Sequence, residues 1–168
     1  MRTRVFVGLG SNMNEPLKQL EKAVAAIRQI PDTTVQKLSG MYASAPMGPE
    51  DQPDYMNAVV ELQSGLDAQV LLESLQMIEQ QQGRCRDGER WTQRTLDLDI
   101  LLYGNDVIHT DTLTIPHPGM HQRSFVLQPL KELDATIVIP GRGNINDCLD
   151  GDLLGEVINR LENYSWPL

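Results

Sequence analysis

In the stretch RWTQRTLDLDILLYG, Arg90 to Gly104, two acids, Asp97 and Asp99, interrupt a run that otherwise favours Leu and Ile. The run alternates as a half-buried strand does: Leu96, Leu98, Ile100 and Leu102 point one way, and Asp97, Asp99, Leu101 and Tyr103 the other. Carboxylates two residues apart on a strand lie roughly 6.5–7 Å apart on one face. They repel each other, and one tends to stay protonated unless positive charge compensates it. Magnesium is a natural compensator, because it accepts one or two carboxylates and completes its shell with water and phosphate oxygens. Such a pair alone also suits a wet sheet face, so its neighbours carry the weight.

Arg84, Arg86, Arg90 and Arg94 immediately precede the pair. Guanidinium groups make forked contacts with phosphate oxygens, so arginines beside a metal site suit a polyphosphate ligand. The alternative is that they simply neutralise the acids on the surface. Gly83 and Gly88 give the segment the character of a lid. Trp91 within it is either a core anchor or a ring that stacks near a nucleotide. Cys85, between two arginines, reads as a passive loop cysteine. Downstream, IPHPGMHQRSF adds His117, held on stiff backbone between two prolines, and Arg123. Either could donate to phosphate, and either could be structural or solvated. In DQPDYMNAVV, Tyr55 and Asn57 share a strand face, an aromatic beside an amide, which suits a flat heterocycle. Phe125 could supply a second ring. The opening GLGSNM lacks the third glycine of a dinucleotide fingerprint, Met13 standing in its position. Gly8 and Gly10 are therefore assigned to a tight strand-to-helix turn.

These residues need elements to hold them. TRVFVGLG reads as a first strand. EPLKQLEKAVAAIRQI reads as a helix with a Leu17, Leu20, Val24, Ile27 stripe, capped by Asn14 and stopped by Pro31. TVQKLSGMYAS and YMNAVVELQ read as strands either side of the proline-rich loop APMGPEDQP. Asp67 is the expected cap of a second helix, AQVLLESLQMIEQQQ, which Gly83 ends. The aspartate strand follows, then a turn at Gly104-Asn105, a short VIHT, a helix in SFVLQPLKEL, TIVIP, and a last helix in GDLLGEVINRL. The first part runs β-α-β-β-α-β, the order of a ferredoxin-like α+β sandwich with helices on an antiparallel sheet.

The 168 residues suit one domain, 1–168, and 40% apolar with 22% charged residues suits a globular chain. A net charge of −9 argues against nucleic acid or an anionic membrane as partner. No apolar run approaches the roughly 20 residues of a membrane span. No signal-peptide segment is visible, and the two cysteines, Cys85 and Cys148, are too far apart for a CxxC site. A cytoplasmic location is the simplest expectation.

The motifs GLGSN, GPEDQPDYMNAV, IEQQQGR, RWTQRTLDLDILLYG and IPHPGMHQRSFVLQPL occur in that order. Together they resemble the 6-hydroxymethyl-7,8-dihydropterin pyrophosphokinase family of folate biosynthesis. The resemblance implies transfer of pyrophosphate from ATP to the hydroxymethyl group of the pterin, leaving AMP, with ATP as co-substrate. It implies that Asp97 and Asp99 hold two Mg2+ ions, and that Arg84, Arg94, His117 and Arg123 contact the polyphosphate. Trp91 would order the arginine loop, Gln76 and Glu79 would lie beside the nucleotide, and Ile100, Leu113 and Thr114 would line adenine and ribose. Tyr55 and Phe125 would sandwich the pterin, with Asn57 and groups around Ser44 and Met47 reading its edge.

The chain departs from some members at Pro118, where they carry an aromatic residue, and at Asp87, where they carry a lysine. Arg86 is carried over less firmly for that reason. The expected partners are the two small substrates, with the chain acting as a monomer and without nucleic acid or membrane. The competing readings are a metal-dependent phosphohydrolase and a non-catalytic nucleotide-sensing module.

Overall fold

A computed structural model describes residues 2–13, 15–44, 54–83, 96–151, 153 and 158–167. Asn14, the proline-rich loop 45–53 and the arginine-rich segment 84–95 lie outside the described residues.

Strand β1 (Thr3–Ser11) leads into helix α1 (Pro16–Ile27), with Pro16 in its first turn. Leu20, Ala23, Val24 and Ile27 are buried, and Leu17 is only half-buried. The expected single strand after Pro31 is two, β2 (Thr33–Leu38) and β3 (Tyr42–Ser44). Both pair with β4 (Tyr55–Ser64), and the run breaks between them where the Gly40 N–H turns to the Glu132 carboxylate. Helix α2 (Ala68–Gln81) begins after Asp67, whose backbone sits at the cap position while its carboxylate caps no N–H. Gly83, with φ 101°, follows the helix end in the left-handed region that glycine tolerates.

Strand β5 (Asp97–Tyr103) completes the expected β-α-β-β-α-β order, with β2 and β3 together in the place of one strand. The antiparallel sheet has β4 and β1 at its centre and β5 at one edge, the ferredoxin-like arrangement. Beyond it come β6 (Ile108–His109) paired with β7 (Thr114–Ile115), helix α3 (Ser124–Leu133), and β8 (Val138–Ile139) paired with β9 (Gly143–Asn144).

The tail corrects one expectation. The segment read as a last helix contains β10 (Ile158–Arg160), which pairs with β3, while a short α4 (Ile145–Leu149) forms earlier. Asn144 Oδ1 accepts from Asp147 N at 2.9 Å and starts α4 there. Without β10, β3 would be an edge strand, and its unpaired backbone groups are partners that a local pattern cannot foresee.

The two sheet faces carry different layers. Val5, Val7, Leu9, Leu98 and Ile100 meet Leu20, Val24, Leu71 and Leu75 of α1 and α2. Phe6, Val59 and Leu101 meet Val126, Leu127 and Leu130 of α3 on the opposite face. Leu102 belongs to this second cluster, whereas strict alternation assigns it to the first. The register with β1 explains the difference: Val7 faces Ile100 and Phe6 faces Leu102, so Leu101 bulges. After the bulge the faces exchange, and Tyr103 packs with the first cluster.

Candidate active site

Asp97 lies opposite Gly10 and Asp99 opposite Gly8 across the β1–β5 pair. Directly opposed residues of an antiparallel pair share a face, so both carboxylates flank a strip that has no side chains. Gly8 and Gly10 therefore lie inside β1, not in a strand-to-helix turn as the sequence suggested. They form a floor. A Cβ on Gly8 would stand 3.4 Å from the Leu101 side chain, and one on Gly10 would stand 3.4 Å from Asn57 Oδ1.

Over this floor opens a cavity of about 220 Å³. Ser44, Tyr55 and Asn57 line one side, Phe125 and Arg123 another, and Asp97, Asp99 and His117 the third. Asn57 and Ser44 are buried, and Asn57 Nδ2 donates to Ser44 Oγ at 2.8 Å. The Asn57 carbonyl is thereby left over Gly10 at the cavity floor.

The open edge of β5 holds the other polar groups. A buried strand edge leaves N–H and C=O groups that must find partners. Glu79, 3% exposed on α2, accepts from Leu98 N at 2.8 Å, between the two aspartates. His117 N donates to Leu101 O at 3.1 Å, which fixes the histidine beside Asp99. Its Nδ1 accepts from Gly119 N at 3.3 Å, so the neutral ring carries its proton on Nε2. Burial pulls the His117 pKa down; Asp99 opposes that and Arg123 adds to it. A neutral donor results. The Arg123 Nε is buried without a partner among the described residues, while the side chain lines the first cavity, where its guanidinium can meet an incoming acceptor.

A second hollow of about 360 Å³ lies across β5. Gln76 and Glu79 of α2, Ile100, and Leu113 and Thr114 of the β6–β7 segment line it. Asp99 and His117 line both spaces, so the two meet there. Thr110, Asp111, Thr112 and Pro118 also border the second hollow, a placement not foreseen from the sequence. The isolated polar types at 110–112 offered no signal, and Pro118 had stood out only as a departure from the family pattern. For Gly8 and Gly10 the signal was present in the Gly-x-Gly spacing of a strand.

The residues expected around a pterin, Ser44, Tyr55, Asn57 and Phe125, thus share the first cavity, and Met47 lies outside the described residues. Of those expected around ATP, Gln76, Glu79, Ile100, Leu113, Thr114 and His117 share the second, and Arg123 lines the first. Arg84, Arg86, Trp91 and Arg94 lie outside the described residues. No group of three or more His, Cys, Asp or Glu gathers into a metal cage among the described residues. Two carboxylates over an open cavity suit magnesium, which takes few protein ligands and finishes its shell with phosphate and water.

Residues 6–135 match the family model described as 7,8-dihydro-6-hydroxymethylpterin-pyrophosphokinase. A protein of Haemophilus influenzae named 2-amino-4-hydroxy-6-hydroxymethyldihydropteridine pyrophosphokinase is 50% identical over 144 residues, covering 86% of this chain and 89% of that one. One of the same name from Pseudomonas aeruginosa is 43% identical over 149 residues, covering 89% and 91%. In shape the chain is similar to a crystal structure of Plasmodium falciparum HPPK-DHPS, with TM-score 0.70 and 12% identity, a likeness of fold. It covers 89% of this chain but only 43% of that longer one.

Proposed function

Because the chain belongs to the 7,8-dihydro-6-hydroxymethylpterin-pyrophosphokinase family, and so is an enzyme of folate biosynthesis that transfers pyrophosphate from ATP to the hydroxymethyl group of 6-hydroxymethyl-7,8-dihydropterin, we propose a division of labour between its two hollows. The cavity over Gly8 and Gly10 takes the dihydropterin, and the hollow beside α2 takes the nucleotide. One observation carries this reading: the two spaces meet at Asp99 and His117.

The pterin ring lies between Tyr55 and Phe125, and the Asn57 amide, oriented by Ser44, reads its hydrogen-bonding edge. Gln76, Ile100, Leu113 and Thr114 flank adenine and ribose, while Glu79 holds the Leu98 N–H that keeps β5 straight between its acids. Asp97 and Asp99 would hold the two Mg2+ ions that the family resemblance implies. Bound there, such ions neutralise phosphate oxygens and lower the pKa of the substrate alcohol. His117 Nε2–H and the Arg123 guanidinium donate to the polyphosphate near the junction. Arg84 and Arg94, with Trp91, are assigned to closing over it by family resemblance alone. The protein's contribution is alignment of the hydroxyl with the β-phosphorus and stabilisation of charge on phosphate. The whole chain is read as a single domain, monomeric and cytoplasmic; no helix among the described residues is long and apolar enough to cross a membrane.

Product analysis tests the reading. With ATP, magnesium and the hydroxymethyl-dihydropterin, AMP and dihydropterin diphosphate form in equal amounts, and neither forms without the pterin. Asp97→Ala and Asp99→Ala each lower kcat by at least about a thousandfold while far-ultraviolet circular dichroism stays unchanged. Release of ADP or inorganic phosphate without pterin favours a phosphohydrolase, and near-normal turnover in either variant removes the metal assignment.

A further inference from the structure

We infer that Glu132, remote from the reacting atoms, is a positioning residue for the wall of the dihydropterin cavity, acting through β3. The inference rests on the proposed assignment of that cavity to the pterin. Glu132 stands in the last turn of α3, the helix whose first turn carries Phe125. Its carboxylate gathers groups from two other segments. Each of its oxygens is 3.0 Å from Gly40 N, and Tyr42 OH donates to Oε1 at 2.7 Å. Arg160 of β10 donates from Nε to Oε1 at 3.3 Å and from Nη2 to Oε2 at 3.0 Å. Burial pushes the carboxyl pKa up, but the Arg160, Tyr42 and Gly40 donors outweigh it and hold the pKa below the ordinary carboxylate value. The group is a fixed anion at neutral pH.

β3 is held between β10 on one side and β4 on the other, and the leverage of Glu132 comes from joining β10 to α3. That strand has only three residues, so its place depends on where β4, β10 and the chain at Gly40 hold it. Tyr42 lies directly opposite Asn57 on β4, and Ser44 opposite Tyr55. Ser44 Oγ in turn accepts the Asn57 amide proton that settles which way that amide faces. The Arg160 guanidinium packs against Gly40, where an added Cβ would stand 2.5 Å from Nη2, so the junction is closed around the carboxylate. One charge therefore ties the helix bearing Phe125 to the strand bearing Ser44, the two sides between which the pterin is proposed to lie.

Steady-state kinetics of Glu132→Gln test this. A neutral amide must turn a donor toward Arg160 or Gly40, both donors themselves. The expected result is a rise in dihydropterin KM of about tenfold, with kcat and ATP KM within about twofold of wild type. Arg160→Ala and Tyr42→Phe are expected to move the same constant in the same direction by less, and they carry the test if Glu132→Gln does not fold. Thr33→Val is the control for general destabilisation, since it breaks a buried hydrogen bond to Ser64 Oγ at the end of β2 and β4 remote from Asn57. It is expected to lower Tm and leave dihydropterin KM unchanged. Unchanged dihydropterin KM in all three β3-junction variants, or a loss spread equally over kcat and both KM values, overturns the inference. Asn57→Ala separates the two levels. If it weakens dihydropterin binding while Glu132→Gln does not, only the inference fails; if it has no effect, the cavity assignment fails with it.

Discussion

Gly10 faces Asp97, and Gly8 faces Asp99, with the amide of Asn57 close above the former. At this scale the absence of a side chain is as functional as the presence of a carboxylate, because the cavity exists only where no Cβ stands. Gly10→Val adds β-branched bulk against Asn57 Oδ1 in a strand that otherwise tolerates valine well. The fold is therefore expected to persist, with Tm changed little, while dihydropterin affinity falls by at least about tenfold and affinity for an ATP analogue stays within about twofold. Isothermal titration with each ligand checks it. Equal loss of both affinities would show that the floor serves the nucleotide as well.

Among the elements, β1 and α3 are joined outside the site by Arg4, which bonds Glu61 at 3.1 Å and Asp134 at 2.9 Å and lies 4.7 Å over the Phe6 ring. Asp134 also accepts from the Thr136 hydroxyl and backbone N–H, and these bonds, with Arg4, pull its pKa from 3.8 down to about 2. A carboxyl depressed in the folded state contributes stability that is fully present above its unfolded pKa and is lost as pH falls through the folded one. Wild type is therefore expected to be more stable than Asp134→Asn at pH 6, with the gap shrinking below about pH 4 and vanishing near pH 2. Urea unfolding of both proteins across that range measures it. A gap that is constant with pH would assign the difference to hydrogen bonding by the neutral group. The same scale holds the bulge at Leu101, which lets β5 turn Asp97 and Asp99 toward the cavity and still give Tyr103 to the α1–α2 side.

Taken as a whole, the molecule carries a net charge of −9 and yet belongs to a family whose co-substrate is a polyanion. Nucleotide binding must then depend on local positive charge, and the proposed magnesium site at Asp97 and Asp99 would supply part of it. A non-hydrolysable ATP analogue is expected to raise Tm by several degrees with magnesium present and by about one degree or less with chelator, following mass-action linkage. Differential scanning calorimetry at fixed ligand concentration reads this directly. An equal shift in both conditions would detach the nucleotide from Asp97 and Asp99.

Much of this was legible in one dimension. The period-two runs of β1, β4 and β5 and the helical stripe of α1 are local consequences of burying one face, so Val5, Leu20 and Leu98 announce themselves. The acids, the neighbouring arginines and the His117 and Arg123 segment suited a phosphate ligand by type and spacing, and the order of the motifs carried the family resemblance. The fold then settled what no local pattern contains: Gly8 and Gly10 as floor and not turn, β2 parted from β3, and the tail recruited as β10. It also divided β5, with Leu98 and Ile100 facing α1 and α2 and Leu102 facing α3. Each of these outcomes depends on which distant segment becomes a neighbour. Hydrogen bonds across strands and packing between layers make that choice, and they act between residues far apart in the chain. The family was therefore written in residue types and their order, while the cavity over Gly8 and Gly10 came from the way β1, β4, β5 and α3 meet.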